Sequence, residues 1–240
     1  MTFFEATPPG PPSDGEPHLF QHLIDAVEQA DSATLLLQTT RALSDALSCH
    51  RDGDSTSSPP TAALSCLVRI LGYNNPGAAV AAVDGLIAAG PAAVSTLLEG
   101  LDAQNYGARA WAVRALAGIG DVRGLDLLEQ ALATDVGPSV RRAAPVGLGS
   151  LRVDPLAQDE RWQVQDRALT ALESARHDGE WVVRYAVATA MEKLALSFPG
   201  QEEGRSRTKI TLASLADILQ EEVPVVRLRA QLGLDRLGTL

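Results

Sequence analysis

The side chains with most chemical capacity cluster where periodic segments begin. Tyr73, Asn74 and Asn75 form one group, and Gln104, Asn105 and Tyr106 form a second. Arg109, Trp111 and Arg114 follow the second group, Arg141 and Arg142 open the next segment, and Trp181, Arg184 and Tyr185 repeat the combination later. Guanidinium groups beside aromatic rings suit a flat conjugated ligand that carries carboxylates, because the rings supply stacking surfaces and the arginines supply forked donors. The alternative role for the same residues is structural: the tryptophans pack between helices and the arginines fix helix register.

Enzymatic signatures are otherwise sparse. No GxGxxG, GxxxxGK[ST], HExxH or GxSxG string occurs. His18 and His22 lie one helical turn apart, but no third ligand accompanies them, so no metal site is expected. Cys49 and His50 are adjacent and point apart too readily for a nucleophile–base pair, while Cys66 stands among apolar residues as expected of core.

The elements that must position these side chains are repeats. Five segments align: NPGAAVAAVDGLIAAG from Asn75, YGARAWAVRALAGIG from Tyr106, PSVRRAAPVGLGSL from Pro138, WVVRYAVATAMEKLA from Trp181 and PVVRLRAQLGLDRLG from Pro224. Ala79, Arg109, Arg141, Arg184 and Arg227 are in register, at separations of 30, 32, 43 and 43 residues. Three residues on stand Ala82, Ala112, Ala144, Val187 and Ala230, and seven on stand Leu86, Leu116, Leu148, Met191 and Leu234. Apolar residues at these offsets make one stripe on an α-helix, with a small residue where a neighbour approaches. Amphipathic second helices are expected at 91–102, 121–133, 158–177 and 205–221. The period predicts an all-α fold, a HEAT/armadillo-like α–α superhelix, or solenoid.

Acidic residues punctuate the turns. Asp135, Asp178 and Glu221 each precede an aligned arginine by six residues, and Asp102 precedes Arg109 by seven. A carboxylate–arginine ladder between successive units would fix their register. Residues 18–49 read as two capping helices for the stack, residues 50–60 as a loop, and residues 1–17, with five prolines, as a disordered leader to a single domain over 18–240.

Bulk properties narrow the partners. A net charge of −10 disfavours nucleic acid and anionic membrane surfaces. Two cysteines fit a reducing, cytoplasmic setting. No apolar run is expected to span a membrane, and the N-terminus lacks the pattern of a secretory signal.

The strings LGYNNPGAAVAAVDGLI, NYGARAWAVRALAGIGD and SVRRAA resemble the E/F-type phycobilin lyases, and most of all their F-type subunits. The resemblance covers about residues 60–195. It implies a heterodimer with a homologous E-type subunit that binds phycocyanobilin as substrate, with no resident cofactor. The pair would attach it through a thioether to a cysteine of the phycocyanin α-subunit. It further implies Arg109, Arg114 and Arg142 as donors toward the pigment's propionates, Arg141 as a further pigment-binding residue, and Tyr106 and Trp111 against its rings. Asn75 and Asn105 would line the same site, and Asp84 and Asp102 would be the catalytic carboxylates, hydrogen-bonding pyrrole N–H groups or supplying a proton. The His-Cys dipeptide of the isomerising relatives is absent, the order at 49–50 being Cys-His. Pro145 departs from the family pattern and is expected to kink its helix. The competing reading is a non-catalytic scaffold acting on phycobilisome proteins, including chromophore detachment or degradation.

Overall fold

The computed structural model describes residues 15–52, 58–102, 104–197, 202–217 and 220–238, and among them no strand occurs. The helices are α1 (Gly15–Glu28), α2 (Ala33–Asp52), α3 (Thr61–Ile70), α4 (Pro76–Ala89), α5 (Ala93–Gly100) and α6 (Tyr106–Ile119). They continue as α7 (Leu125–Thr134), α8 (Pro138–Leu148), α9 (Gln158–Ala175), α10 (Trp181–Leu196), α11 (Glu202–Ala216) and α12 (Pro224–Gly238). Short 3₁₀ turns at Gly90–Ala92 and Val122–Gly124 lead into α5 and α7.

Local chemistry sets the boundaries. The side-chain oxygens of Asn75 and Asn105 accept from the Ala78 and Ala108 N–H groups at 3.1 and 3.0 Å, which caps α4 and α6. Pro76, Pro138 and Pro224 occupy first helical positions, where no backbone donor is lost. Gly120 closes α6 at φ 67°, a left-handed conformation in which its would-be Cβ lies 2.7 Å from the Ser150 carbonyl.

The even-numbered helices lie side by side in one layer, α2 against α4, then α6, α8, α10 and α12. The odd-numbered helices form the second layer, with α1, α3 and α5 in sequence and α7, α9 and α11 in sequence. A single core of buried aliphatic residues runs between the layers from Phe20 to Leu237. All five small residues expected in the stripe, Ala82, Ala112, Ala144, Val187 and Ala230, are buried, as are Leu86, Leu116, Leu148 and Met191. Leu234 is half-buried on α12. A second small position lies one residue before the leucines: Gly85, Ala115, Gly147, Ala190 and Gly233. A Cβ on Gly85 would meet Ser44 Oγ at 2.5 Å, and one on Gly149 would meet the Ala190 Cα at 2.8 Å.

Several boundaries differ from the sequence reading. Helix α1 begins at Gly15, inside the expected leader, whose first 14 residues lie outside the described ones. Helix α2 continues to Asp52, into the expected loop, and residues 53–57 lie outside the described ones. Helix α8 starts at Pro138 and continues through the buried Pro145 to Leu148, although proline leaves the Arg141 carbonyl without its helical donor. The stretch Pro76–Gly100 is apolar enough to cross a membrane, contrary to expectation. Here, however, 61% of its most apolar window is buried in the chain, and the stretch comprises α4, the 3₁₀ turn and α5. Its hydropathy is therefore that of a core element.

Candidate functional site

Three arginine–carboxylate rungs cross from one even helix to the turn preceding the next. Arg109 Nε donates to Asp135 at 2.8 Å. Arg141 donates to both oxygens of Asp178, at 2.7 and 3.1 Å. Arg184 donates to both oxygens of Glu221, at 2.5 and 2.8 Å. Each acceptor also takes the N–H two residues on: Gly137, Glu180 and Val223, at 2.8, 2.9 and 2.8 Å. The second edge of each of two of these guanidinium groups returns to its own turn, Arg141 to the Asp135 carbonyl at 2.9 Å and Arg184 to the Asp178 carbonyl at 2.7 Å. The spacing of six residues thus pairs an arginine with a backbone carbonyl, while the carboxylate pairs with the arginine of the preceding unit.

Electrostatics follows the geometry. Burial alone would raise the Asp135 and Asp178 carboxyls, but Arg109 and Arg141, with the Gly137 and Glu180 N–H groups, outweigh it and hold both below the usual carboxylate range. Glu221 is held low by Arg184 above all, against opposing burial. The three arginines are correspondingly bound as cations in part-buried positions.

Arg109 and Arg141 are therefore committed to register, not left open as ligand donors. Asn75 and Asn105 are likewise engaged: besides capping, their side-chain amides donate to the Ala33 and Gly72 carbonyls at 2.9 and 3.0 Å. Asp102 is exposed and accepts the Gln104 N–H at 2.9 Å, an Asx-turn contact. An asparagine immediately before an aliphatic helical run was the sequence signal for a cap.

What remains open lies on the even layer. Arg114 sits over Trp111, 5.7 Å from the ring centroid, and both project from α6. Arg142 is exposed on α8, the next helix of that layer, and makes no hydrogen bond or ion pair among the described residues. Asp84 is exposed on α4 and is equally unengaged. Tyr106 is 46% exposed; its hydroxyl meets the Ser139 hydroxyl, Arg109 lies 5.8 Å from its ring centroid, and its ring occupies the space a Cβ on Gly137 would need. Ser139 and Gly137 were not singled out in the sequence because a glycine–serine pair at a helix start reads as turn chemistry. The predicted set thus divides: Arg114, Arg142 and Asp84 are exposed on three successive even helices, Trp111 is half-buried against the core beneath Arg114, Tyr106 is half-exposed at the start of α6, and the others hold the scaffold.

Concave space lies elsewhere. A groove of about 670 Å³ runs between α7 and α9, lined by Glu129, Asp166, Arg167, Thr170, Ser174 and His177 among others. A smaller one of about 300 Å³ adjoins Arg109 and Asp135. Neither includes Trp111, Arg114 or Arg142. The odd layer carries its own interhelical pairs, Arg69 to Glu28, Arg167 to Asp126 and Glu129, and Arg207 to Asp166 and Glu173.

Comparison with known proteins places the fold and its kin. The HEAT-repeat family matches residues 64–149. The phycocyanin alpha phycocyanobilin lyase CpcF of Synechocystis sp. is 51% identical over 175 residues, 73% of this chain and 76% of that protein. The chain belongs to the phycocyanobilin lyase family. A phycobilisome maturation protein of Synechococcus elongatus is 44% identical over 217 residues, 90% of this chain and 97% of its own length. The solved complex of CpcE and CpcF of phycocyanin lyase from Nostoc sp. contains a chain that matches at a TM-score of 0.65 and 40% identity, over 72% of this chain and 99% of that one. The helical stack is thus shared with a chain of that complex.

Proposed function

We propose that this chain is the F-type subunit of a heterodimeric lyase that binds phycocyanobilin and joins it by a thioether to a cysteine of the phycocyanin α-subunit. Membership in the lyase family supports the reaction class, and the chain's similarity to a member of a solved two-subunit complex supports the pairing. The geometric observation that carries the site is the pair Arg114 and Arg142. These are two exposed guanidinium groups on adjacent helices with no carboxylate partner among the described residues, the first lying over Trp111, in a chain of net charge −10. An acidic protein that presents free cations beside an indole on one face is suited to a conjugated dianion.

In the reaction, the acceptor thiolate adds to the vinyl-type carbon of the pigment's A ring. A carbon–sulfur bond forms, and the displaced electron pair takes up a proton on the conjugated system. Arg114 and Arg142 hold the propionates, Trp111 and Tyr106 line the ring face, and Asp84 is the free carboxyl from which that proton is supplied. Holding an extended, flexible pigment in one orientation converts an unselective addition into a directed one. The two free cysteines, Cys66 buried and Cys49 exposed, fit a reducing cytoplasm.

Co-expression tests this reading: the chain, an E-type subunit, phycocyanobilin and an apo α-subunit are produced together, and covalent pigment on the α-subunit is read by absorbance and mass. Omitting this chain should abolish the adduct. An equal yield without it would exclude the role.

A further inference from the structure

Matching positions of successive even helices are neighbours in space. Near the starts of α6 and α8 the Tyr106 and Ser139 hydroxyls meet. Toward the ends of α8 and α10, Lys193 Nζ donates to Ser150 Oγ at 3.3 Å. A Cβ on Gly118 of α6 would run into Ile87 of α4. Counted from the aligned positions Ala79, Arg109, Arg141 and Arg184, each contact joins residues in the same register or one residue apart. What lies between these contacts is therefore matched across the layer as well.

One and five residues after the aligned positions, two offsets share a side of each helix. Across the layer they present a carboxylate, a cation, a second cation and an aromatic ring. These are Asp84 on α4, Arg114 on α6, Arg142 on α8 and Tyr185 on α10, all exposed. Trp181 stands one turn before Tyr185 and is 45% exposed, against 38% for the tyrosine. Among the described residues neither ring meets another ring or a guanidinium group, and the Tyr185 hydroxyl makes no hydrogen bond.

That order matches the order of groups along an open-chain tetrapyrrole. Such a pigment carries its propionates on the two inner rings, B and C, and its reactive side chain on the outer ring A. With Arg114 and Arg142 on the propionates, the outer rings fall one helix to either side, over α4 and α10. Packed helix axes lie about 8–10 Å apart, so a tyrosine on α10 reaches a ring beside Arg142. The thioether step tells the two ends apart. The thiolate sulfur bonds to the exocyclic carbon of ring A, the π pair of that double bond moves onto the adjoining ring carbon, and this carbon takes the proton. Ring A must then lie beside Asp84, the carboxyl that supplies it.

We propose that Tyr185, with Trp181, is the stacking site for ring D, so that the pigment crosses the even layer with ring A at α4 and ring D at α10. The inference rests on the reading above that Arg114, Arg142 and Asp84 serve phycocyanobilin, and it adds the polarity. The reverse orientation would set the reactive carbon beside two aromatic rings and no carboxyl. Aromatic side chains suit a flat conjugated ring through offset or edge contacts.

Absorbance titration with phycocyanobilin, on the full chain assembled with an E-type subunit, tests the placement. Tyr185→Ala should weaken binding about tenfold, as for the loss of one ring contact, and Tyr185→Phe should stay within about twofold of native. Polarity is read with a tripyrrole that has rings A to C and both propionates but lacks ring D. Tyr185→Ala should not change its affinity. Ile210→Ala, at a 68% exposed site on α11, should bind both pigments like the native chain. Circular dichroism checks that each variant keeps its helix content. Equal loss with both pigments would put another ring at Tyr185 and overturn the polarity. Native affinity of Tyr185→Ala for phycocyanobilin, or a loss in Tyr185→Phe as large as in Tyr185→Ala, would overturn the stacking site. In those cases weakened binding by Arg142→Ala would leave the pigment reading standing. Native affinity in Arg114→Ala and Arg142→Ala alike would remove that reading and this inference together.

Discussion

Neighbouring arginines have opposite fates here. Arg141 lies in a bidentate pair with a part-buried aspartate, and Arg142, one residue later, is exposed with no partner among the described residues. Removing Arg141 leaves the Asp178 carboxylate without its counter-ion. Arg141→Ala is therefore expected to destabilise the fold by about 3 kcal/mol, seen as a lower denaturant midpoint. Arg142→Ala should leave that midpoint within about 0.5 kcal/mol of native. It should instead cut pigment capture by about tenfold, measured by absorbance titration with phycocyanobilin, because one charge-assisted hydrogen bond to a propionate is removed. Equal stability loss in the two variants would show that the division between scaffold and face is drawn in the wrong place.

At the scale of elements, close approach of helices governs what the sequence tolerates. Gly149 ends α8 against the backbone of α10, and a methyl there would lie 2.8 Å from the Ala190 Cα. Backbone has little freedom to yield, so Gly149→Ala should lower stability by about 1–3 kcal/mol despite its higher helix propensity. Calorimetry would settle the sign. Pro145 is the reverse case. It sits inside an otherwise regular helix, so Pro145→Ala returns a donor to the Arg141 carbonyl. After the loss of buried ring volume the net gain should be about 1 kcal/mol, seen as a higher melting temperature. Helix α8 runs on past Pro145 to Leu148, packed between α6 and α10.

For the whole molecule, the ladder ties stability to pH. Asp135, Asp178 and Glu221 titrate below the ordinary carboxylate range when folded. The unfolded chain therefore takes up protons first as pH falls. The stabilisation is complete above the unfolded value of about 4 and is lost as pH drops through the lower folded values. Melting temperature should be flat from neutrality to about pH 5 and fall steeply below about pH 4. Asp178→Asn should start from a lower plateau and show a shallower acid limb. An acid limb of unchanged slope would mean that other groups carry the dependence.

Much of this architecture was legible from local pattern. The period of aligned arginines, the small and large apolar offsets and the prolines at helix starts are properties of neighbours along the chain, and they dictated eleven of the twelve described helices with nearly the right ends, while α3 (Thr61–Ile70), which carries no such mark, was missed. The six-residue spacing of acid and arginine announced a ladder as well. What local pattern left undetermined was the rung itself. Arg109 reaches Asp135, 26 residues away, and Arg141 and Arg184 each reach across 37, so the partner is chosen by how one unit lies on the next. Tertiary stacking alone decided that Arg109, Arg141, Asn75 and Asn105 are consumed by the scaffold while Arg114, Arg142 and Asp84 stay open. Identical guanidinium groups differ only in whether a fixed carboxylate stands within reach, and that distance is set by helix packing.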